Sequence, residues 1–231
     1  MPQEFEAGRI FAARLLCPQI RNITIAAETL AGFAFEAGAD VTIRLPSGGG
    51  SADERHYSVW KSTAQGEFDV CVVLHGLGLG SRWATQCVVG DTVEIARSHV
   101  LPIALDRSTE AHLFFGDETS IASADAMMRA LPADAVVFAC FEISSIERRW
   151  PDSEIFRPEA VHWVDRAGRV GSALVSWLAG QSLPSVKSTT AYVTGEAWLC
   201  AIVHAHLVRE RGFPLRAVRA MPYWKSRAKL A

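Results

Sequence analysis

The chain lacks any apolar run long enough to span a bilayer, and its start, MPQEFEAGRIFAARLLCPQ, carries two early acids and no signal-peptide core. Neither secretion nor membrane insertion is expected, and the cytoplasm is the expected location. Paired cysteines are also missing. Cys17, Cys71, Cys87, Cys140 and Cys200 are odd in number, scattered and without a CxxC pair, which argues against a disulfide framework and a structural zinc site. Charge of one sign is lacking too: 23 Lys/Arg stand against 25 Asp/Glu, so no tail for nucleic acid is expected. Repeats and low-complexity blocks are absent apart from SGGGS at 47–51, which reads as a hairpin loop.

What remains is an ordinary globular composition, 49% hydrophobic and 21% charged over 231 residues, long enough for two modest cores. The charge is unevenly spread, since residues 187–231 hold eight Lys/Arg against two Glu. That basic end suits either a solvated helix face or a landing site for anions.

Residues 8–45 are short apolar runs rich in Ile, Val, Phe and Thr cut by turn residues, which reads as β-meander. RHYSVWK, EFDVCVVLHG and GDTVEIARS add further strands, giving six or so before residue 100 and few helical stretches. A small antiparallel barrel follows. After Pro102 strands alternate with helices: AHLFFGDETSIASADAMMRAL gives strand, glycine turn and amphipathic helix, and TTAYVTGEAWLCAIVHAHLVRERG gives strand, turn and helix again. That order implies a parallel sheet with crossovers. The expected fold class is therefore β plus α/β: an N-terminal antiparallel β-barrel over 1–103 and a doubly wound parallel α/β domain over 104–231.

Four stretches carry chemistry. In RHYS, an extended strand sends Arg55 and Tyr57 one way and His56 and Ser58 the other. A guanidinium and a ring on one face suit a ligand that is both aromatic and phosphorylated, although a surface strand with one packed tyrosine would read the same. HGLGLGSRWA places three glycines ahead of a short helix, where backbone can approach closely and helix amides attract phosphate. Its GxGxG spacing is not the GxGxxG fingerprint. FFGDETSIASA and YVTGEAW each run from a strand through glycine into acids at a helix start, where acids serve as caps or mark a nucleotide site at a strand's carboxyl end. His204 and His206, two apart on a helix, diverge by about 200°, and no metal site is expected.

The ordered set RHYS, HGLGLGSRWA, GDTVEI, GDETSIASA, VHWVDR, VTGEAW and MPYWK, spanning about residues 8 to 225, resembles the siderophore-interacting protein family. These are flavin-dependent ferric-siderophore reductases of the ferredoxin-reductase superfamily. The resemblance implies a barrel that binds FAD and an α/β domain that binds NADPH or NADH. It implies that Tyr57 packs on the isoalloxazine, Ser58 lies near the reactive ring nitrogen and Arg55 meets phosphate beside His56. His75, Gly76, Ser81, Trp83 and Ala84 would lie along the pyrophosphate. Gly116, Asp117, Glu118, Thr119, Gly195 and Glu196 would form the nicotinamide-side loops. Trp60 departs from the pattern, standing where the family commonly has a second arginine, with Lys61 or Arg82 as substitutes.

The expected activity is transfer of electrons from NAD(P)H through flavin to Fe(III) in a ferric siderophore or other ferric chelate, with release of Fe(II). Lys225, Arg227 and Lys229 would steer an anionic chelate, and Arg148 and Arg149 would meet a 2′-phosphate if NADPH is the donor. Ferredoxin as donor, a general diaphorase, and a degenerate module without flavin are the competing readings.

Overall fold

Alternating burial builds the first unit. The strands β1 (Glu6–Cys17), β2 (Ile20–Ala26), β3 (Asp40–Pro46), β4 (Ala52–Ser62), β5 (Glu67–Val73) and β6 (Thr92–Arg97) close into an antiparallel barrel of order β1-β2-β5-β4-β3-β6. Along β5 buried residues alternate strictly with half-buried ones, the period of two required of a wall with one apolar face. Ile10, Ile23, Ile25, Val41, Ile43, Phe68, Val70 and Ile95 fill the interior and are at most 1% exposed. One helix, α1 (Leu79–Gln86), bridges β5 and β6.

The expected barrel is present, but its order is not a meander. β3 pairs with β4 and β6 rather than with β2, because residues 27–39 form a connection with only one 3-10 turn, Glu28–Leu30, of its own. That length lets the chain reach across before β3 begins.

The second unit is a parallel sheet of β7 (Ala111–Asp117), β8 (Val136–Ile143), β9 (Val161–Asp165), β10 (Thr189–Glu196) and β11 (Val218–Trp224), in the order β11-β10-β7-β8-β9. β7 and β10 are buried at every residue, as central parallel strands covered on both faces must be. The helices are α2 (Ile121–Arg129), α3 (Ser172–Ala179) and α4 (Ala197–Ala205). Leu174, Leu178, Leu199 and Val203 from α3 and α4 pack with Leu113, Phe115, Ala191 and Val193 of the sheet. α2 is not the amphipathic helix expected: Ile121, Ala122, Ser123, Ala124, Asp125, Met127 and Met128 are all buried, and its one hydroxyl, on Ser123, is satisfied. Ser123 Oγ donates to the Ser120 carbonyl and accepts from the Tyr223 hydroxyl.

The computed structural model describes residues 4–46, 52–76, 78–98 and 102–226. The glycine tract at 47–51 and the basic Arg227 and Lys229 lie outside the described residues. Contacts divide the chain into Met1–Ala104 with Asp125–Met127, and Leu105–Ala124 with Met128–Ala231. Among the described residues no helix is long and apolar enough to cross a membrane.

Candidate functional site

In the barrel the candidate site begins on β4. Tyr57 lies opposite the core residue Val41 and Arg55 opposite Ile43, while His56 lies opposite Thr42 and Ser58 opposite Asp40. The pleat therefore separates Arg55 and Tyr57 from His56 and Ser58, as alternation demands. Arg55 is solvent-exposed, pairing with Asp53 at 3.2 Å and donating to the Glu54 carbonyl at 2.8 Å. Tyr57 is half-buried against Trp83, ring centroids 5.9 Å apart. Burial holds its phenol protonated, far above the usual tyrosine range, against a smaller opposing effect of Arg55. His56 bonds Asp40 through Nδ1 at 3.0 Å.

Next to this strand the chain turns through Gly76 and Gly78, at φ of 75° and 82°, a region that favours glycine. The Gly76 N–H donates to the buried Ser81 hydroxyl at 3.1 Å and closes the loop. His75 is exposed at the loop's start. The helix starts earlier than expected, so Gly80 lies inside α1, where a Cβ would come within 2.3 Å of the Tyr57 hydroxyl. Ala84 is fully buried in the barrel core. The N-cap of α1 is Gly78, with no side-chain cap bond, so the first-turn amides keep their capacity for an anion. At the other end of α1, Arg21 donates to the carbonyls of Ala84, Thr85 and Cys87. A cation there complements the helix dipole and anchors the last turn of α1. Sequence reasoning missed Arg21, whose only signal is a charge inside an apolar strand.

Trp60 is the extra residue of a bulge between Val59 and Lys61. Its ring is 2% exposed and its indole N–H donates to Asp125 at 2.7 Å, both residues being counted in the first unit. The Lys61 ammonium lies over the ring at 3.7 Å. Arg82 is exposed on α1.

In the second unit the strand order reverses between β7 and β10, the place where open α/β sheets bind ligands at the carboxyl ends of their strands. Asp117 ends β7 fully buried and joins the two loops. Its Oδ1 accepts from the Thr119 N–H at 2.8 Å and hydroxyl at 2.5 Å. Its Oδ2 accepts from the Glu196 N–H at 2.7 Å and the Trp224 indole N–H at 3.0 Å. Burial, with the nearby Glu118 charge, pushes the Asp117 pKa up to about 6 in spite of these donors. The glycines make the close approach possible: a Cβ on Gly116 would lie 2.6 Å from the Thr194 carbonyl oxygen, and one on Gly195 2.7 Å from Asp117 Cγ.

Glu196 caps α4, its Oε2 accepting from the N–H groups of Trp198 and Leu199 and its Oε1 from Ser226 at 3.1 Å. Glu142, at the end of β8, is also turned inward, accepting from the Gly171 and Leu174 N–H groups at the start of α3, at 2.8 and 3.2 Å. Glu118 is paired with Arg166. Lys225 is exposed just beyond β11, and Arg148 and Arg149 are exposed after β8, Arg149 lying 3.7 Å from Asp152. Arg166 and Glu142 are further residues that sequence reasoning did not place in the site; the arginine stands at the end of VHWVDR, one position past a strand.

A closed antiparallel barrel followed by a parallel sheet with helices is a ferredoxin-reductase-like fold. Residues 46–100 match the siderophore-interacting FAD-binding domain and residues 109–227 match the siderophore-interacting protein family. The chain belongs to that family. It is 26% identical over 178 residues to the ferric vibriobactin reductase ViuB of Vibrio cholerae, covering 74% of this chain and 64% of that protein. The siderophore-interacting protein SipS from Aeromonas hydrophila has the same fold, with a TM-score of 0.84 at 21% identity over 98% of this chain and 94% of that one. A ferredoxin NADP+ reductase from Neisseria gonorrhoeae with bound FAD and NADP gives a TM-score of 0.76 at 16% identity, covering 95% and 99%. The chain spans about half the length of the mycobacterial relatives it matches, 48% at 33% identity.

Proposed function

We propose that this chain is an FAD-dependent ferric-siderophore reductase that takes electrons from NADH or NADPH and passes them to Fe(III) in a chelate. The observation that carries the reading is the placing of Arg55 and Tyr57 on one face of β4, beside a helix whose first amides have no side-chain cap. A flavin dinucleotide needs a surface for its ring system and donors for its pyrophosphate. Tyr57, already packed against Trp83, supplies the first, and Arg55 with the first turn of α1 supplies the second. Because Trp60 is turned to Asp125, no second arginine shares the phosphate load on β4, and Arg55 carries it there.

Bound flavin would supply the exchange between hydride and single-electron transfer. The chain's own part is to hold and orient. Ser58, the residue after Tyr57 on β4, is the candidate to bond a ring nitrogen, through its hydroxyl or its backbone amide. Gly116 and Gly195 let the two loops close on each other, while Asp117 keeps them in register through four hydrogen bonds. Lys225 is the candidate for steering an anionic ferric chelate, the substrate, and reduction to Fe(II) would weaken a chelate built from hard oxygen donors.

The test is anaerobic turnover of a panel of ferric chelates with NADH and with NADPH while ferrous iron is trapped. Chelate-dependent Fe(II) release with a yellow protein supports the reading. Protein that stays colourless after incubation with FAD removes it, and flavin that NAD(P)H reduces but no chelate reoxidises reassigns the chain to a general diaphorase. Flavin reduced only by ferredoxin would change the donor.

A further inference from the structure

Four carboxylates stand at the carboxyl ends of β7, β8 and β10: Asp117, Glu118, Glu142 and Glu196. A pyridine dinucleotide is itself anionic, so such an edge should repel the donor proposed above unless its charge is answered. Three of the acids are answered by backbone. Asp117 accepts from Thr119 and Glu196, Glu142 from the start of α3, and Glu196 from the start of α4. Each is at most 4% exposed.

Glu118 is answered by Arg166, the first residue after β9. The guanidinium NH2 group meets Glu118, Nε donates to Glu142 at 3.1 Å, and the Arg166 N–H bonds the Ile143 carbonyl at 2.8 Å. The loop it begins is pinned twice more. Arg169 lies over the Trp198 ring at 3.7 Å. The Gly171 N–H bonds Glu142, and a Cβ on Gly171 would come within 2.9 Å of Leu199 Cα. One arginine thus contacts two carboxylates and ties the loop after β9 to the ends of β7 and β8.

We infer that Arg166 is a positioning residue for donor binding, offsetting the charge of Glu118 and holding residues 166–171 in place so that an anionic dinucleotide meets a less negative edge. This rests on the dinucleotide reading above. The two fail differently, because a wild-type chain that binds flavin but neither NAD+ nor NADP+ removes both, whereas the variants judge Arg166 alone.

The experiment titrates the flavin-loaded full chain with NAD+ and NADP+ by calorimetry at low and high ionic strength, together with FAD affinity and a thermal melt. At an effective dielectric of ~20, one uncompensated charge at ~10 Å changes binding roughly tenfold. Arg166→Gln should therefore weaken dinucleotide binding about tenfold at low salt, less at high salt, with FAD affinity unchanged. Glu118→Gln should tighten binding by a few fold, a gain that a purely structural role does not produce. The double variant should return to within about threefold of wild type, and Arg166→Lys, which keeps the charge, should stay close to wild type. A double variant as weak as Arg166→Gln, or Arg166→Gln binding like wild type, overturns the inference.

Discussion

Replacing Gly195 with alanine perturbs the second unit at the point where its two glycine loops meet. Gly195 has φ of +111°, and an added Cβ would stand 2.7 Å from Asp117 Cγ and Oδ2 and 2.9 Å from Oδ1. The backbone conformation alone costs an alanine about 1–3 kcal/mol. The contact adds to this, because Asp117 can withdraw only by loosening bonds to Thr119, Glu196 and Trp224. Losing one buried, charge-assisted hydrogen bond costs about 1.5–3 kcal/mol. The sum is about 3–5 kcal/mol. Urea unfolding followed by tryptophan fluorescence reads it. Gly180→Ala is the control, since Gly180 sits at φ −89° and its Cβ would find nothing closer than the Trp177 carbonyl oxygen at 3.7 Å. That substitution should stabilise by about 0.4–1 kcal/mol through the unfolded chain. A loss below ~1 kcal/mol at Gly195 would refute the view that Asp117 is immovable and that its clamp fixes the two loops.

Asp117 itself gives a pH signature. Its pKa rises from 3.8 to about 6 in the fold, so between those values the folded chain binds more protons than the unfolded one. Its contribution is therefore fully present below pH ~4 and is lost as pH climbs through 6, about 3 kcal/mol in all. Unfolding free energies of wild type and Asp117→Asn, measured from pH 4 to 7, should differ with that slope; parallel curves would mean that the four donors outweigh desolvation. Tyr57→Ala should weaken FAD binding by about 10–100-fold, and Tyr57→Phe by less than threefold, if the ring rather than the hydroxyl makes the surface; equal losses in a fluorescence titration would shift the role to the hydroxyl. Arg21→Gln should cost about 1–2 kcal/mol of barrel stability and lower FAD affinity without touching ligand, because α1 loses its carbonyl anchor; unchanged FAD affinity would detach the anchor from the site.

The two-part fold was legible because its signals are local. Strands with alternating burial and then strands alternating with helices appear as period and order, and β5 and β7 show both patterns plainly. Pairings distant in sequence left weaker marks. Nothing in ADVTIRLP says that β3 skips β2 to join β4 and β6. Trp60 could be read as a missing arginine but not as a bulged residue whose indole finds Asp125, since a bulge changes which way a side chain points without changing its identity. α2 looked amphipathic because Ser123 and Asp125 are polar, and only their hydrogen bonds reveal why polar groups stand on a buried face. The acids of GDET and TGE were visible at once, with capping and ligand binding as alternatives. Glu196 caps α4 and Asp117 clamps backbone, and neither role prevents the loops they shape from receiving a ligand.

Arg166 was legible as a charge after a strand, but its partners lie 24 and 48 residues earlier in the chain. The contrast among helix starts shows what such distant pairings accomplish. α1 begins on a glycine with no side-chain cap, whereas the first amides of α3 and α4 are taken by Glu142 and Glu196. The same backbone feature is thereby left without a side-chain cap in the barrel and filled by an acid of the chain itself on the sheet. An acid introduced at Gly78 as a cap for α1 would be expected to stabilise the helix by about 1 kcal/mol in a compatible backbone. At φ of 82° that gain is offset by strain, and the cap would occupy the donors that a pyrophosphate needs. The glycine is consistent with a helix start left uncapped so that its donors stay available to a ligand.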